Sequence, residues 1–343
     1  MTHGVDSSRF RSFRRWIMSS RLARKAIERD ERALLPRAAA KARIKRSLGE
    51  KIFDACNVAL MILLSLVTVY PFWYILVMSL NNGRDAAAGP IWLWPRVFTL
   101  DNYYYVFQYE SMRSAFVVTI ARCVLGSTLS VLVCMLAAYS LSKRDLPGRK
   151  AILYFLILPM FISGSIISTF VVYVKLGLMN NFLVYILPGA FAFFNMVVMR
   201  TFIEGIPIEL EESAMLDGAS YWQIFTRITV PLSRPIISAF LFFGFVGGWL
   251  DLYTNLIFVT KRSLYTLQYI LYMVIKSSEA RNFVDWTSPE AIKRLQYQQN
   301  LGLPTPEVIR MAVMVVVTFP ILFIYPFFQK HFIKGMYVGA IKA

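Results

Sequence analysis

Four long stretches of the sequence contain no Asp, Glu, Lys or Arg, and they constrain the fold more than any other feature. The stretches cover residues 55–83, 151–174, 176–199 and 311–329. A helix needs about 20 apolar residues to cross the hydrocarbon core of a bilayer, and each stretch reaches or nearly reaches that length. Buried helices of a large water-soluble protein are the alternative, but several such helices would then lack any polar face. The sequence therefore predicts a polytopic membrane protein.

The composition supports this prediction. Hydrophobic residues make up 57% of the chain and charged residues only 17%, with a mean hydropathy of +0.52, whereas soluble domains carry about 25% charged residues. The three cysteines, Cys56, Cys123 and Cys134, lie in apolar stretches without paired or metal-ligand spacing. We therefore interpret them as packing residues and expect no disulfide framework.

The positive charge is concentrated at the N-terminus. Residues 1–51 carry fifteen Lys and Arg against five Asp and Glu, and so contribute +10 of the net charge of +17. A basic cytoplasmic flank beside anionic lipids explains this tail more simply than nucleic-acid binding, which is the alternative. The tail has no apolar segment of the size found in secretory signal peptides, so we expect the first transmembrane helix to direct insertion.

Six transmembrane helices are predicted, in an all-α fold. They cover residues 53–80, 113–142, 150–174, 182–203, 233–259 and 309–329. The chain is thus divided into a basic N-terminal extension, a transmembrane domain and a C-terminal tail, at residues 1–52, 53–329 and 330–343. Within the transmembrane domain we expect a cytoplasmic loop at 204–231 and an outer loop at 260–308.

The orientation follows from Lys and Arg in short loops, which stay in the cytoplasm. Basic residues dominate the turn after the second span and the segment after the last: Lys143, Arg144, Arg149 and Lys150, then Lys330, Lys334 and Lys342. Alternation places these segments on the same side as the basic N-terminal tail. We therefore predict that both termini and the 204–231 loop are cytoplasmic.

The 204–231 loop is acidic, although it lies on the side where basic residues are expected. Pro207 followed by an acid-rich turn predicts the start of a helix, because acids complement the positive end of the helix dipole. Gly218 suits the left-handed residue that ends a helix. The loop is therefore predicted to hold a short helix over 208–217 and a second over 219–228, and a short helix between two membrane helices suits a docking element.

The same loop carries a motif. Glu212-Ser213-Ala214 is followed after three residues by Gly218, and after nine more by Ile228-Thr229-Val230-Pro231. This pattern resembles the EAA motif of the permease subunits of binding-protein-dependent ABC importers, which reads E-A-A, three residues, G, nine residues, I-x-L-P. Ser213 and Val230 replace its first Ala and its Leu. Further stretches resemble the maltose-permease-like branch of carbohydrate importers, at 72–79, 139–142, 195–202, 265–268 and 327–335.

The resemblance implies a type I ABC importer permease fold (MetI-like) in the inner membrane of a bacterium. It implies a second homologous permease, two ATPase subunits and an extracytoplasmic solute-binding protein as partners, and a sugar or oligosaccharide as the transported solute. It also implies that the loop contains the helix that couples the permease to the ATPase. The residues assigned to this role are Glu212, Ser213, Ala214, Asp217, Gly218, Ile228 and Pro231.

The sequence contains no catalytic or cofactor-binding signature. It lacks the phosphate-cradling pattern G-x-x-x-x-G-K-[ST], so we expect ATP and Mg to bind to the partner ATPase and not to this chain. The two histidines, His3 and His331, lie outside the predicted spans, which argues against a histidine-rich metal centre or catalytic constellation in the membrane.

Ionisable residues inside the predicted spans are candidates for the substrate pathway, because charges are costly in lipid. Arg122 and Asp251 are such residues, and they either pair with each other or contact the solute. Together with Asp251, the candidate pathway residues are Asn195, Trp249 and Tyr253, although Trp and Tyr are also ordinary interfacial anchors. Gly244 and Gly248 allow close helix packing, most simply against the partner permease.

Two other classes of protein compete with this interpretation. An ion-gradient-driven secondary transporter usually has more spans, often as internal repeats, and ion sites near the bilayer midplane, whereas no internal repeat is visible here. A membrane-embedded enzyme or receptor would need a catalytic constellation or a soluble domain.

Overall fold

A computed structural model describes residues 47–89, 91–108, 110–162, 164–282 and 304–340. The helices are α1 (Leu48–Ser79), α2 (Gly83–Ala87), α3 (Asp101–Gln108), α4 (Glu110–Ser142), α5 (Arg149–Phe161), α6 (Ile166–Lys175), α7 (Phe193–Glu204), α8 (Glu209–Leu216), α9 (Tyr221–Ile224), α10 (Val230–Leu232), α11 (Arg234–Leu250), α12 (Tyr253–Phe258), α13 (Leu267–Asn282) and α14 (Pro306–Ala340). The described residues include one isolated antiparallel bridge, between Asn81 and Phe98, and no strand. The predicted all-α class is confirmed.

The chain divides into two compact units, Met1–Val67 and Thr68–Ala343. The described part of the first unit is the beginning of α1. Ser47 and Glu50 form reciprocal side chain-to-backbone hydrogen bonds there, of 3.2 and 3.0 Å, and such a capping box fixes the start of a helix. The apolar side chains that follow are exposed, as expected for a helix that faces lipid or another protein.

The second unit is organised by the close approach of α4 and α11. A Cβ atom added at Gly244 would lie 2.9 Å from Cβ of Ser127, and one at Gly248 would lie 3.3 Å from Sγ of Cys123. Small residues on facing helices let the backbones approach to this extent. The two glycines therefore pack against α4 of the same chain, so the expectation that they pack most simply against a partner permease is wrong.

A polar network fixes the segment that follows α1. The side chain of buried Asn102 donates to the carbonyl oxygens of Ser79 and Asn81, at 2.8 and 2.9 Å. The Asn81 side chain donates to Asp85, which also accepts from Arg96 at 3.0 Å. The hydrogen bond from Asn81, followed by the interactions with Arg96, holds the pKa of the Asp85 carboxyl below its usual value. The carboxylate therefore stays ionised at neutral pH and keeps both partners.

Three helical segments are long and apolar enough to cross a membrane: Leu48–Ser79, Ser111–Ser142 and Pro306–Ile324. Two bent pairs add one candidate span each, if each pair is counted as a single span. They are α5 with α6, and Tyr221–Leu232 with α11, the latter pair bent by 76°. Among the described residues there are thus three to five candidate spans, which fall short of the six predicted.

The predicted helix over 182–203 is not continuous. A 3₁₀ turn covers Phe182–Tyr185, and α7 begins only at Phe193. Pro188 and Gly189 explain the break, because proline disfavours helical backbone at the preceding residue and glycine favours irregular backbone. The 12 residues of α7 extend about 18 Å, which is less than the roughly 30 Å of a hydrocarbon core.

The predicted helix over 233–259 is also interrupted. It stops at Leu250, because Asp251 adopts an extended conformation with ψ of 112°, and the chain turns again into the short α12. The loop predicted at 260–308 contains α13, and its part over 283–303 lies outside the described residues, as do residues 1–46 and 341–343 of the predicted termini.

The close contact between α4 and α11 predicts different effects for two neighbouring glycines. Gly244→Ala places a methyl group 2.9 Å from Ser127, whereas a Cβ at Gly247 meets no atom within 4 Å. We expect Gly244→Ala to lower the free energy of unfolding by about 1–3 kcal/mol and Gly247→Ala to be neutral or slightly stabilising. The Tm values of the purified variants in detergent test this, and equal values would contradict the proposed contact.

Candidate functional site

The 204–231 loop forms the predicted short helix. Glu209–Leu216 is helical, one residue shorter at each end than expected, and Gly218 follows it with φ of +80°. In this left-handed conformation the N–H of Gly218 donates to the carbonyl of Met215 at 2.9 Å, and the N–H of Ala219 donates to that of Ala214 at 2.9 Å. Gly218 therefore ends the helix in the way that glycine favours.

The helix presents an exposed surface. Glu212, Ser213, Asp217 and Gly218 are exposed, and Leu216, at its end, is 91% exposed. Exposed apolar side chains beside carboxylates form a surface suited to binding another protein.

Two contacts fix the second half of the loop. Ser220 and Gln223 form a capping box that starts α9, with hydrogen bonds of 3.3 and 2.8 Å. Phe225 begins a π-helical turn over Phe225–Thr229. Its ring packs against that of Tyr139 on α4, with 5.1 Å between the ring centroids. The predicted second helix over 219–228 is thus α9 followed by this turn.

The remaining motif residues connect the loop to the bundle. Ala214 and Ile228 are half-buried and pack against the apolar cluster that includes Ile224 and Phe225. Pro231 lies in α10, where the chain turns into α11. The seven motif residues therefore divide between an exposed surface and the contacts that support it.

Two basic residues, which in the sequence indicate only the orientation, also contact this loop. Lys143, after α4, forms an ion pair with Glu211, and Arg149, at the start of α5, forms one with Glu204 at 2.8 Å. A cavity of about 850 Å³ lies between these elements. No local sequence signal connects residues so far apart, although an acidic loop on the same side as a basic turn is consistent with such pairs.

Arg122 and Asp251 form an ion pair, which is one of the two alternatives that the sequence left open. Their side chains lie 2.5 Å apart, and the Arg122 side chain is only 5% exposed. The Arg122 guanidinium also lies 4.4 Å from the ring centroid of Tyr185, and Asp251 accepts a hydrogen bond from the N–H of Thr254 at 3.2 Å. The buried charge is therefore neutralised and hydrogen-bonded, which a charge at this depth requires.

The other pathway candidates occupy different surroundings. Trp249 is 2% exposed, stacks on Phe245 and donates its indole N–H to the carbonyl of Val317 at 3.0 Å. Tyr253 is 74% exposed and Asn195 is half-buried on α7. Only Tyr253 presents most of its surface outward, and contact of these residues with a solute stays a prediction.

Within the described part of the chain, no group of three or more His, Cys, Asp or Glu residues could hold a metal ion. The ionisable side chains Arg122, Asp251, Glu204 and Glu211 form ion pairs within the chain. This arrangement suits packing and protein contact.

Comparison with known proteins identifies the family. The family described as "Binding-protein-dependent transport system inner membrane component" matches residues 130–337, which include the whole 204–231 loop. The chain belongs to this family.

Curated relatives and a solved structure agree with the family assignment. The chain is 35% identical over 292 residues to Protein LplC of Bacillus subtilis (strain 168), covering 85% of this chain and 95% of that protein. It is 33% identical over 297 residues to the polygalacturonan/rhamnogalacturonan transport system permease protein YtcP of the same organism, covering 86% and 100%. The crystal structure of a bacterial ABC transporter that imports the acidic polysaccharide alginate includes a chain with a TM-score of 0.73 and 26% identity, covering 84% and 99%. The fold is therefore the MetI-like permease fold that the motif implied.

The Arg122–Asp251 pair predicts a loss of stability when either charge is removed. Asp251→Asn leaves the buried Arg122 charge uncompensated, at an expected cost of about 3–5 kcal/mol. Arg122→Gln leaves Asp251 without its cation and should cost less, because that side chain is 25% exposed. The double variant should be less destabilised than the sum of the two, because neither charge is then uncompensated. Thermal unfolding in detergent measures this, with Arg113→Gln on the exposed side of α4 as the control; additive effects would argue against the pair.

Proposed function

We propose that this chain is the transmembrane permease subunit of an ATP-binding cassette importer for a sugar or oligosaccharide. It forms the translocation pathway with a second permease, receives the solute from an extracytoplasmic binding protein, and is powered by two separate ATPase subunits. The observation that carries this proposal is the family match across a loop whose short helix is exposed at one end of the bundle.

We further propose that the solute is an acidic oligosaccharide. Polygalacturonan and alginate, the polymers in the names of one relative and one solved transporter, both consist of sugars that carry carboxylates. The polygalacturonan permease, at 33% identity, favours acidic solutes over the neutral sugars in the names of relatives that are 25–28% identical.

The topology we propose has six spans, with both termini in the cytoplasm of a bacterial cell and the chain in its inner membrane. Five spans correspond to the three long helices and the two bent pairs. The sixth consists of α7 together with the irregular segment before it, which is tolerated at membrane depth where it packs against protein. The basic turn before α5 supports the assignment of the cytoplasmic side.

In this topology, α8 is the helix that docks on the ATPase. Glu212, Ser213, Asp217 and Gly218 form its exposed surface, while Ala214, Ile228 and Pro231 connect it to the bundle. ATP and Mg bind to the ATPase, and its closure moves α8, which shifts the permease between two arrangements.

Reconstitution in liposomes distinguishes this function from an ion-gradient-driven transporter. With the second permease, the ATPase and the loaded binding protein, we expect uptake of galacturonate oligosaccharides that requires ATP and is insensitive to ionophores. Uptake by this chain and the second permease alone, abolished by dissipating an ion gradient, would contradict the proposal. A neutral oligosaccharide transported at the same rate would leave the importer function intact and exclude the acidic specificity.

The left-handed backbone at Gly218 predicts that two substitutions of similar exposure differ in effect. A Cβ at this position meets no atom of this chain within 4 Å, so within the chain the two variants differ in backbone strain. Gly218→Val adopts positive φ poorly and should reduce ATP-driven uptake at least tenfold. Gly218→Asn, which tolerates this conformation, should retain most of it. Equal uptake by both variants, at equal levels of assembled complex, would show that the shape of this turn does not matter for coupling.

A further inference from the structure

One acid of α8 points away from its exposed surface. Glu209 and Glu212 are exposed, whereas the side chain of Glu211 is only 23% exposed and forms an ion pair with Lys143. Lys143 follows directly after α4, and its ammonium group lies 4.3 Å from the ring centroid of Tyr139. Glu211 is thus directed to the end of α4, while its two neighbours remain available to a partner protein.

A second set of interactions, two ion pairs and a hydrogen bond, joins the ends of α4, α5 and α7. Arg149 lies at the start of α5 and pairs with Glu204 at the end of α7, and it also donates to the carbonyl of Leu141 at 2.8 Å. Glu204 pairs in addition with Arg200, at 2.9 Å. The ends of α4, α5 and α7 are therefore held together independently of α8.

The loop contacts α4 on both of its arms. The arm after Gly218 is held by the Tyr139 hydroxyl, which donates to the carbonyl of Tyr221 at 3.2 Å. The arm before Gly218 is held by the ion pair of Glu211. A cavity of about 850 Å³ separates much of α8 from the ends of α4 and α5, so apolar contact there is limited to residues such as Ala214.

We propose that the ion pair between Lys143 and Glu211 is a coupling latch, through which a displacement of α8 is transmitted to α4 and α5. This inference rests on the proposed function of α8 as the helix that docks on the ATPase. The pair is partly shielded from water, and a charge pair in such surroundings is stronger than one in bulk solvent. The cation–π contact with Tyr139 keeps Lys143 in place, so a moving α8 pulls the α4–α5 turn with it instead of sliding past it. Lys143 and Glu211 are thus positioning residues.

Charge reversal in the complete importer tests the latch. The variants are Lys143→Glu, Glu211→Lys and the double exchange, with Lys143→Met and Glu211→Gln as neutral forms that disturb folding less. Arg144→Glu is the matched control, because it reverses a charge on the exposed neighbour in the same turn. For each variant, co-purification with the ATPase, ATP hydrolysis and solute uptake are measured in proteoliposomes with the loaded binding protein.

The single variants should co-purify with the ATPase but take up at least tenfold less solute per ATP hydrolysed than the wild type. The double exchange should recover at least a third of the wild-type ratio, and Arg144→Glu should keep all of it. A purely structural role would lower the amount of complex and leave the ratio of uptake to hydrolysis unchanged, and that result overturns the latch. Single variants with the ratio of the Arg144→Glu control, or a double exchange no better than the singles, also overturn it. Failure of the wild-type importer to use ATP would instead refute the proposed function.

Discussion

The direct approach of α4 and α11 through Gly244 and Gly248 is the contact on which the other parts of the second unit depend. Because α11 contributes no side chain at these two positions, it packs closely on α4, and Asp251 at its end reaches Arg122. The same placement brings Trp249 against α14, where its indole N–H donates a hydrogen bond to the carbonyl of Val317. Separating the two helices would leave a buried guanidinium without its carboxylate.

The 204–231 loop combines rigid local geometry with a surface that is left open. Gly218 and the capping box of Ser220 and Gln223 fix the backbone on both sides of the turn between α8 and α9. The contacts with Tyr139 fix the loop to α4. A docking helix must be held in this way, because a force applied to a loosely attached helix would be absorbed by bending of the loop.

Local signals in the sequence predicted α8 well. Pro207, the acids after it and Gly218 act within one or two helical turns, so their effect does not depend on distant residues. The pairing of Arg122 with Asp251 was also predictable, because two opposite charges in apolar segments each need compensation.

Hydropathy, by contrast, predicted one continuous helix over 182–203. Apolar composition indicates burial or lipid contact, but the irregular backbone there depends on Pro188 and on distant hydrogen bonds, such as that of the Tyr185 hydroxyl with Asn255. The pair of Lys143 and Glu211 was missed for a similar reason, since 68 residues separate them. The glycines of α11 were recognised as a packing motif, but sequence spacing does not say which helix they contact.

The long separation of Arg122 and Asp251 in the sequence affects the stability of α4 while the protein is being synthesised. The two residues are 129 positions apart, and ribosomes add about 5–20 residues per second. Arg122 therefore enters the membrane roughly ten seconds before its carboxylate partner has been synthesised. During that interval α4 carries an uncompensated guanidinium. The free-energy cost of inserting an Arg at the centre of a transmembrane helix is about 2.5–3.5 kcal/mol. The long apolar length of α4 must outweigh this charge until α11 arrives, so the early stability of α4 in the membrane is a separate requirement from the stability of the finished bundle.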